Sequence, residues 1–294
     1  MAPSDLAGRA AEVGVLLALA ENALRGRAGA LFVSGEPGIG KTALVRCVEH
    51  LVGEKITVRW IRCLPLTALA TPMLPVRSAL AAPLPDNGFA AMRAVDDWLA
   101  QRPTLLVVDD LQWADPATLD LLMYVLAGEP DRRLAVAATI RSGDEASLAE
   151  WLAEARRLPG VAELALRRLD RVATAEQLTA AFGRIPRESL IDDVHALSGG
   201  NPYLTSLLVR GVDPDAAVLP PGLPSELREA LGARCGRLSA ATRELITLVA
   251  IAGLPQRSAD LVRAGFRPSV LPCLREAVDG GVLLVGPEIG RAHV

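Results

Sequence analysis

The spacing of apolar positions changes twice along the chain, first from helical to strand-like and later back to helical. Residues 10–26 are predicted as an amphipathic helix, because apolar residues there recur at helical spacing. The residues that share this face are Leu6, Val13, Leu16, Leu17, Ala20 and Leu24. A signal-peptide core over residues 13–20 is the alternative. We disfavour it because acidic residues precede the segment and no net positive charge does.

Short apolar runs then alternate with helical segments. Strands are predicted at residues 30–34, 56–61, 104–108, 134–139 and 161–166, a loop and helix at 35–53, and helices near 73–82, 88–101, 116–127 and 144–157. The alternation predicts an α/β fold, with a parallel sheet flanked by helices and right-handed crossovers. A long alanine-rich helical bundle is the alternative, and the β-branched runs that end at Asp109 and Thr139 argue against it.

Strand signals fade after about residue 172, and proline and glycine then mark a boundary. We predict an α/β domain with an amino-terminal helix at 1–168, a small helical subdomain at 169–212, a linker at 213–225 and a winged-helix-like unit at 226–287. That last unit ends in one possible short strand at 282–285. The tail at 288–294 is expected to be non-native, with the gene truncated before further domains.

Composition excludes several classes of partner. The 294 residues carry a formal charge of −3 and are 51% apolar, with no run approaching a membrane span. This balance gives no overall footprint for nucleic acid or an anionic membrane, so we expect a cytoplasmic protein without a membrane partner. The four cysteines form no C-x-x-C pair. Free thiols are therefore favoured over a metal or disulfide role.

A glycine-rich loop lies between a predicted strand and a predicted helix. It reads Ser34-Gly35-Glu36-Pro37-Gly38-Ile39-Gly40-Lys41-Thr42-Ala43. Glycines in this setting let backbone N–H groups surround an anion, and the helix start adds its positive dipole end. Lys41 is predicted to reach the β and γ phosphates and Thr42 to ligate Mg²⁺. The alternative is a glycine-rich turn with an exposed lysine.

Acidic residues end the third predicted strand, Leu105-Leu106-Val107-Val108-Asp109-Asp110. An apolar strand with acids at its carboxyl end has the Walker B design, in which Asp109 would hold Mg²⁺ and Asp110 would polarise an attacking water. Four apolar residues followed by two acids are common, so this pattern gains weight from the upstream loop. Arg141, at the tip of another strand, is the candidate γ-phosphate sensor, and a solvated strand-end arginine is the alternative.

Two further segments have ordinary local explanations. Gly200-Asn201-Pro202-Tyr203 follows one helix and begins another, which is typical helix punctuation. Trp113 is interpreted as a core residue or a helix-start contact, and Asp115 as the N-cap before Pro116.

The order of these motifs resembles the STAND class of P-loop NTPases, and within it the AAA ATPase (Orc1-like) domain of large LuxR-type, MalT-like transcriptional regulators. The segments that carry the likeness are LAGRAAE from Leu6, SGEPGIGKT, LLVVDDLQWADP, ATIRSGD and LSGGNPYL. The resemblance implies that Gly8 and Arg9 approach the base or sugar, that Pro202 packs near adenine, and that Arg141 senses γ-phosphate. It also implies ATP and ADP as ligands, an inducer that is a small molecule or a protein, self-association in the ATP state, and slow hydrolysis.

The sequence departs from that family in its length. The long regulators continue into helical repeats and a helix-turn-helix, so DNA contact is expected only through a missing carboxyl-terminal domain. A DNA-engaging AAA+ ATPase of the origin-recognition or loader kind is the main alternative. A net charge of +2 between Glu226 and Asp279 is weak for a DNA-reading face. A P-loop kinase is the third hypothesis.

Overall fold

The structure, a computed structural model, describes residues 6–65, 71–80, 83–217, 219, 225–252, 256–280, 282–285 and 291–293. The chain divides into two units. The first takes in the chain up to Gly35 together with Ile39–Arg167, and the second takes in Glu36–Gly38 together with Arg168–Val294. The predicted division at 169–212, 213–225 and 226–287 stays a prediction, and positions 218 and 220–224 of that linker lie outside the described residues.

The apolar runs of the first unit form a five-stranded sheet. Its strands are β1 (Gly29–Gly35), β2 (Thr57–Arg62), β3 (Thr104–Asp109), β4 (Leu134–Arg141) and β5 (Val161–Ala165). The order is β2-β3-β4-β1-β5 and every pair is parallel, which confirms the predicted sheet. Because parallel strands end at the same edge, this order brings the ends of β1, β3 and β4 together.

Helices cover both faces of this sheet. They are α1 (Ala10–Leu24), α2 (Lys41–Val52), α3 (Leu74–Ala79), α4 (Gly88–Ala100), α5 (Pro116–Leu126) and α6 (Ala149–Ala155). Alternate residues of β3 point to opposite faces: Leu106 and Val108 pack in one apolar cluster, and Leu105 and Val107 in the other. Burial on both faces explains why this strand is continuously apolar.

The predicted helix at 144–157 is divided in the structure. A 3-10 turn over Glu145–Leu148 precedes α6. The Ser147 hydroxyl donates to the carbonyl of Asp144 at 2.9 Å, which is the local side-chain bonding that competes with a regular helix.

The second unit is helical with a small sheet. Its helices are α7 (Arg171–Phe182), α8 (Glu188–Ser198), α9 (Pro202–Leu208), α10 (Ser225–Gly236), α11 (Ala240–Ala252), α12 (Ser258–Arg263) and α13 (Val270–Asp279). One apolar cluster joins residues of α7, α8 and α9, and another joins α11, α12 and α13.

The strands of the second unit are β6 (Gln256–Arg257), β7 (Leu284–Val285) and β8 (Arg291–His293), antiparallel in the order β6-β8-β7. The sequence predicted one short strand here, because two- and three-residue strands carry too little periodicity to be recognised. The winged-helix-like unit and the non-native tail stay predictions, and residues 286–290 and 294 lie outside the described residues.

Local helix signals hold where they were identified. Asp115 caps α5 by accepting the N–H of Thr118 at 3.1 Å, so that prediction is confirmed. Trp113, interpreted as a core residue or helix-start contact, is 40% exposed at the end of a 3-10 turn. Across the described ranges, none of the helices combines the length and apolarity that a bilayer crossing requires.

Candidate functional site

The glycine-rich loop runs from the end of β1 into α2. Gly40 begins the helix with φ 103°, a backbone conformation that favours glycine, and offers no side-chain acceptor to the first-turn N–H groups. Those N–H groups are therefore free of a capping side chain at the positive end of a twelve-residue helix. This is the arrangement that binds anions.

Lys41 lies at the first position of α2 and is 7% exposed. Its Nζ donates to the carbonyl of Gly35 at 2.7 Å, which holds the ammonium group against the backbone of the loop. A buried lysine in this position supplies a point charge beside the uncapped N–H groups.

Two hydroxyl groups converge on the carboxylate of Asp109. Thr42 Oγ1 donates to Oδ1 at 2.9 Å, and Thr139 Oγ1 donates to the same oxygen at 2.7 Å. The pairing of β3 with β4 explains the second contact, since Val108 lies opposite Ala138. Among the described residues, Oδ2 of Asp109 accepts no hydrogen bond. One carboxylate and one hydroxyl, both hard oxygen donors, fit Mg²⁺, which takes few protein ligands and completes its shell with phosphate and water.

The neighbouring acid, Asp110, has a different environment. Its backbone is left-handed at φ 58°, and its N–H donates to Thr139 Oγ1 at 2.8 Å. Arg141 donates to both carboxylate oxygens, from Nε and from Nη2, each at 3.1 Å. The sequence predicted both side chains as site residues, and the structure brings them together as a pair.

Gln112 completes this cluster, and the sequence interpretation missed it. Its Nε2 donates to Asp110 Oδ1 at 2.8 Å, and its Oε1 accepts the N–H of Arg141 at 3.2 Å. The side chain is 8% exposed. A polar residue two positions after the second acid, in a tight turn, was the available signal. Its partner on β4 depends on strand order, which the sequence does not give.

Arg9 is 5% exposed and its guanidinium group forms three hydrogen bonds within the first unit. It donates to Glu12 at 2.9 Å and to the backbone carbonyls of Ile39 and Arg167. Gly8, before it, has φ 65°. These contacts tie the amino-terminal segment to the loop residue Ile39. The predicted approach of Gly8 and Arg9 to a base or sugar stays a prediction.

The middle of the loop, Glu36–Gly38, belongs to the second unit. Arg168 pairs with Glu36 through two hydrogen bonds of 2.6 and 2.7 Å. The carbonyl of Pro37 accepts from Asn201 Nδ2 at 3.1 Å and from Arg234 at 3.3 Å. Burial lowers the pKa of Arg234, and the nearby Glu36 opposes this shift.

Gly38 is required by packing as well as by its φ of 80°. A Cβ there would lie 2.8 Å from the Cβ of Tyr203 and 3.0 Å from Asn201 Oδ1. The N–H of Tyr203 also donates to the carbonyl of Gly38 at 3.2 Å.

The helix-punctuation interpretation of Gly200-Asn201-Pro202-Tyr203 is correct, since Asn201 caps α9 and Pro202 is its first residue. The sequence missed that Asn201, fully buried, also binds the loop. The predicted place of Pro202 near adenine stays a prediction.

Three carboxylates near the ends of these strands affect the buried thiol of Cys63. Burial raises the pKa of Cys63 to about 12, with further contributions from Asp115, Asp109 and Asp110. Its N–H donates to the carbonyl of Asp109 at 3.0 Å. Within the described chain, no cluster of three or more His, Cys, Asp or Glu side chains could hold a metal alone.

One edge of the parallel sheet carries a glycine loop, a buried lysine and a hydroxyl–carboxylate contact. Residues 5–138 match the family model of the AAA ATPase domain. The matched segment contains the loop, Lys41, Thr42, Asp109 and Asp110, and it ends one residue before Thr139. The match supports nucleotide binding.

Solved structures share the fold over nearly the whole chain. The ORC2 protein of Aeropyrum pernix, solved in ADPNP and ADP complexes, is 16% identical with a TM-score of 0.63, covering 98% of this chain and 89% of its own. Cdc6p of Pyrobaculum aerophilum is 15% identical with a TM-score of 0.55, covering 98% and 90%. The ORC1 protein of Aeropyrum pernix, solved with DNA, is 17% identical with a TM-score of 0.54, covering 99% and 89%.

These likenesses confirm the predicted P-loop NTPase fold. At such identities they carry the fold alone. No curated protein sequence matches the chain.

Proposed function

We propose that the chain binds ATP or ADP with Mg²⁺ and acts as a signal-transduction switch that hydrolyses ATP slowly. The observation that carries the nucleotide part is the 2.9 Å contact between Thr42 Oγ1 and Asp109 Oδ1, beside the buried Lys41. A hydroxyl from the start of α2 and a carboxylate from β3 meet where a triphosphate on the loop would need its cation. The ADPNP and ADP complexes of ORC2 supply the adenine part of the proposal.

Each side chain then has a role in the reaction. The loop N–H groups and Lys41 bind the phosphates. Thr42 and Asp109 would hold Mg²⁺, which would supply positive charge to the phosphate groups. Asp110 orients the attacking water, and Arg141 contacts the γ-phosphate. We expect turnover well below ~10 s⁻¹, the median for enzymes. This expectation comes from the resemblance to the LuxR-type regulators, which implies slow hydrolysis.

The direct test is calorimetry with Mg·ATP on Lys41→Ala. Affinity should fall about 10- to 150-fold, since a hydrogen bond to a charged group is worth about 1.5–3 kcal/mol. The matched control is Lys55→Ala, because Lys55 is the chain's other lysine and is exposed. Equal ATP affinity in Lys41→Ala and Lys55→Ala would remove the site assignment.

The regulatory part of the proposal rests on the sequence resemblance to LuxR-type regulators, through LLVVDDLQWADP and LSGGNPYL. In this proposal ADP holds the switch closed, and ATP with a small-molecule or protein inducer opens it for self-association. Light scattering in ADP and in a non-hydrolysable ATP analogue tests this, and equal masses in both nucleotides, with inducer candidates present, count against it.

A DNA-engaging ATPase is the second candidate function. The observation that favours it is the shared fold with an ORC1 protein solved with DNA. The weak net charge of +2 between Glu226 and Asp279 disfavours it. Filter binding of duplex DNA across a salt titration separates the two candidates, since a DNA-engaging protein should bind with a steep salt dependence.

A further inference from the structure

Arg141 lies beside the phosphate loop and binds the carboxylate of Asp110. It ends β4 and stands opposite Gly35 in the β1–β4 ladder, so its backbone is beside the first residue of the phosphate loop. The N–H of Ser142 donates to the carbonyl of Gly35 at 3.1 Å, the same carbonyl that accepts from Lys41 Nζ. The guanidinium group nevertheless points to Asp110, which it binds through two hydrogen bonds.

The ion pair between Arg141 and Asp110 is weak enough for Arg141 to exchange Asp110 for another anionic partner. The side chains of Arg141 and Asp110 are 28% and 32% exposed, and ion pairs that water reaches contribute little. Arg141 Nε and Nη2 each lie 3.1 Å from a carboxylate oxygen, long for a charge-assisted bond. A γ-phosphate carries more negative charge and presents oxygens to the same fork.

Gln112 contacts both members of the Arg141–Asp110 pair. It holds one oxygen of Asp110 through Nε2 and the backbone N–H of Arg141 through Oε1, so one buried amide fixes both members of the pair. Among the described residues, its side chain forms no hydrogen bond with the loop or with Thr42.

We infer that Arg141 alternates between Asp110 and the third phosphate of a nucleotide, and that Gln112 is a positioning residue that favours the Asp110 partner. The inference rests on the proposed function and deepens it. While Arg141 holds Asp110, the water-orienting carboxylate is occupied. When a triphosphate takes Arg141, Asp110 is released in the same event. ADP lacks the third phosphate and leaves the pair closed, so the pair sets the discrimination between ATP and ADP.

The test is a double-mutant cycle on nucleotide affinity. Calorimetry measures the ratio of affinities for a non-hydrolysable Mg·ATP analogue and for Mg·ADP in the parent, Asp110→Asn, Arg141→Gln and the double variant. Asp110→Asn should raise the ratio about fivefold or more by freeing Arg141. In the Arg141→Gln background the same change should alter the ratio less than about twofold.

Two outcomes would overturn the inference. An equal rise in both backgrounds would mean that removing the Asp110 charge merely relieves repulsion of the nucleotide. A flat ratio in the parent background would mean that Asp110 does not compete for Arg141. Asparagine suits the left-handed backbone at position 110. If that variant does not fold, Asp110→Gly serves in the same cycle.

Gln112 has its own prediction within the cycle. Gln112→Met, similar in length and without hydrogen-bonding groups, should raise the ratio in the same direction by about twofold to fivefold, and only when Arg141 is present. A structural role alone would lower both affinities without moving the ratio. The control pair is Arg156 with Glu163, an arginine–carboxylate pair at 2.6 Å outside the site, whose glutamine variants should leave the ratio unchanged.

The failure of this inference differs from failure of the proposed function. Absence of nucleotide binding in the parent overturns both. Intact parent binding that Lys41→Ala abolishes, together with a flat cycle, overturns the alternation of Arg141 alone.

Discussion

Asp109 in the first unit and Glu276 in the second are two carboxylates that each gather two hydroxyl groups. Glu276 accepts from Ser239 Oγ at 2.7 Å, from Ser239 N at 2.6 Å and from the Thr242 hydroxyl. Both of its oxygens are used. Asp109 receives both hydroxyls on Oδ1, and its Oδ2 accepts no hydrogen bond from the described residues.

The surroundings of the two carboxylates indicate a structural role for Glu276 and a chemical role for Asp109. Glu276 connects α13 to the start of α11, where Ser239 also accepts the N–H of Thr242, so its donors close a helix end. Asp109 ends a buried strand beside an uncapped helix start and a buried lysine. A carboxylate whose two oxygens both accept hydrogen bonds, as in Glu276, stabilises the fold. A carboxylate beside positive charge that keeps one oxygen without a donor among the described residues, as in Asp109, is suited to bind a ligand.

The largest effect on activity is expected for Asp109→Asn. Mg²⁺-dependent turnover should fall ~100-fold or more, because the metal loses its protein carboxylate. The amide oxygen can still accept from Thr42 and Thr139, so the urea-unfolding free energy should change by less than about 1 kcal/mol. A variant that unfolds readily yet keeps its Mg²⁺ dependence would give Asp109 a structural role like that of Glu276.

Asp110→Asn should have the next largest effect. It should retain Mg·ATP while hydrolysis slows ~100-fold, the lower range for loss of a general base. Single-turnover phosphate release measures the rate, and calorimetry confirms binding in the same sample. Turnover at the parent rate would show that Asp110 does not position the water.

Ser239→Ala tests the other side of the comparison. Loss of the cap should lower the free energy of unfolding by ~1 kcal/mol and leave ATP turnover unchanged. Thr247→Ala is the matched control on α11, since that exposed hydroxyl donates only to the carbonyl of Arg243. A change in turnover without a change in stability would contradict the structural role.

The smallest effect is a pH dependence. The hydroxyl of Thr242, then the side chain and N–H of Ser239, hold the pKa of Glu276 below its ordinary value. A lowered pKa in the folded state adds stability above the unfolded pKa of about 4.3, and this stability is lost as pH falls through the folded pKa. The stability difference between the protein and Glu276→Gln should therefore shrink from neutral to acidic pH in urea titrations. A difference that stays constant would exclude the linkage.

The sequence predicted what depends on local pattern. The glycine loop, the apolar strand ending in Asp109 and the cap at Asp115 are all specified within a few residues. It identified Asp110 and Arg141 separately and missed their pairing, because that contact depends on β3 and β4 being neighbours.

The remaining omissions have the same physical origin. Thr139 completed an apolar run in the sequence, and its hydroxyl became informative only through the β3–β4 register. Asn201 was interpreted as helix punctuation, and its second contact, to Pro37, joins residues 164 positions apart. A single sequence contains no trace of which distant segments meet.

The left-handed backbone at Asp110 restricts mutation at this position before any chemistry is considered. β-Branched and bulky side chains are excluded there by sterics, whereas glycine, asparagine and aspartate are tolerated. Of those three, only aspartate carries a charge. Few substitutions at residue 110 are therefore compatible with the backbone. One of them, asparagine, keeps the shape of the turn and removes its negative charge.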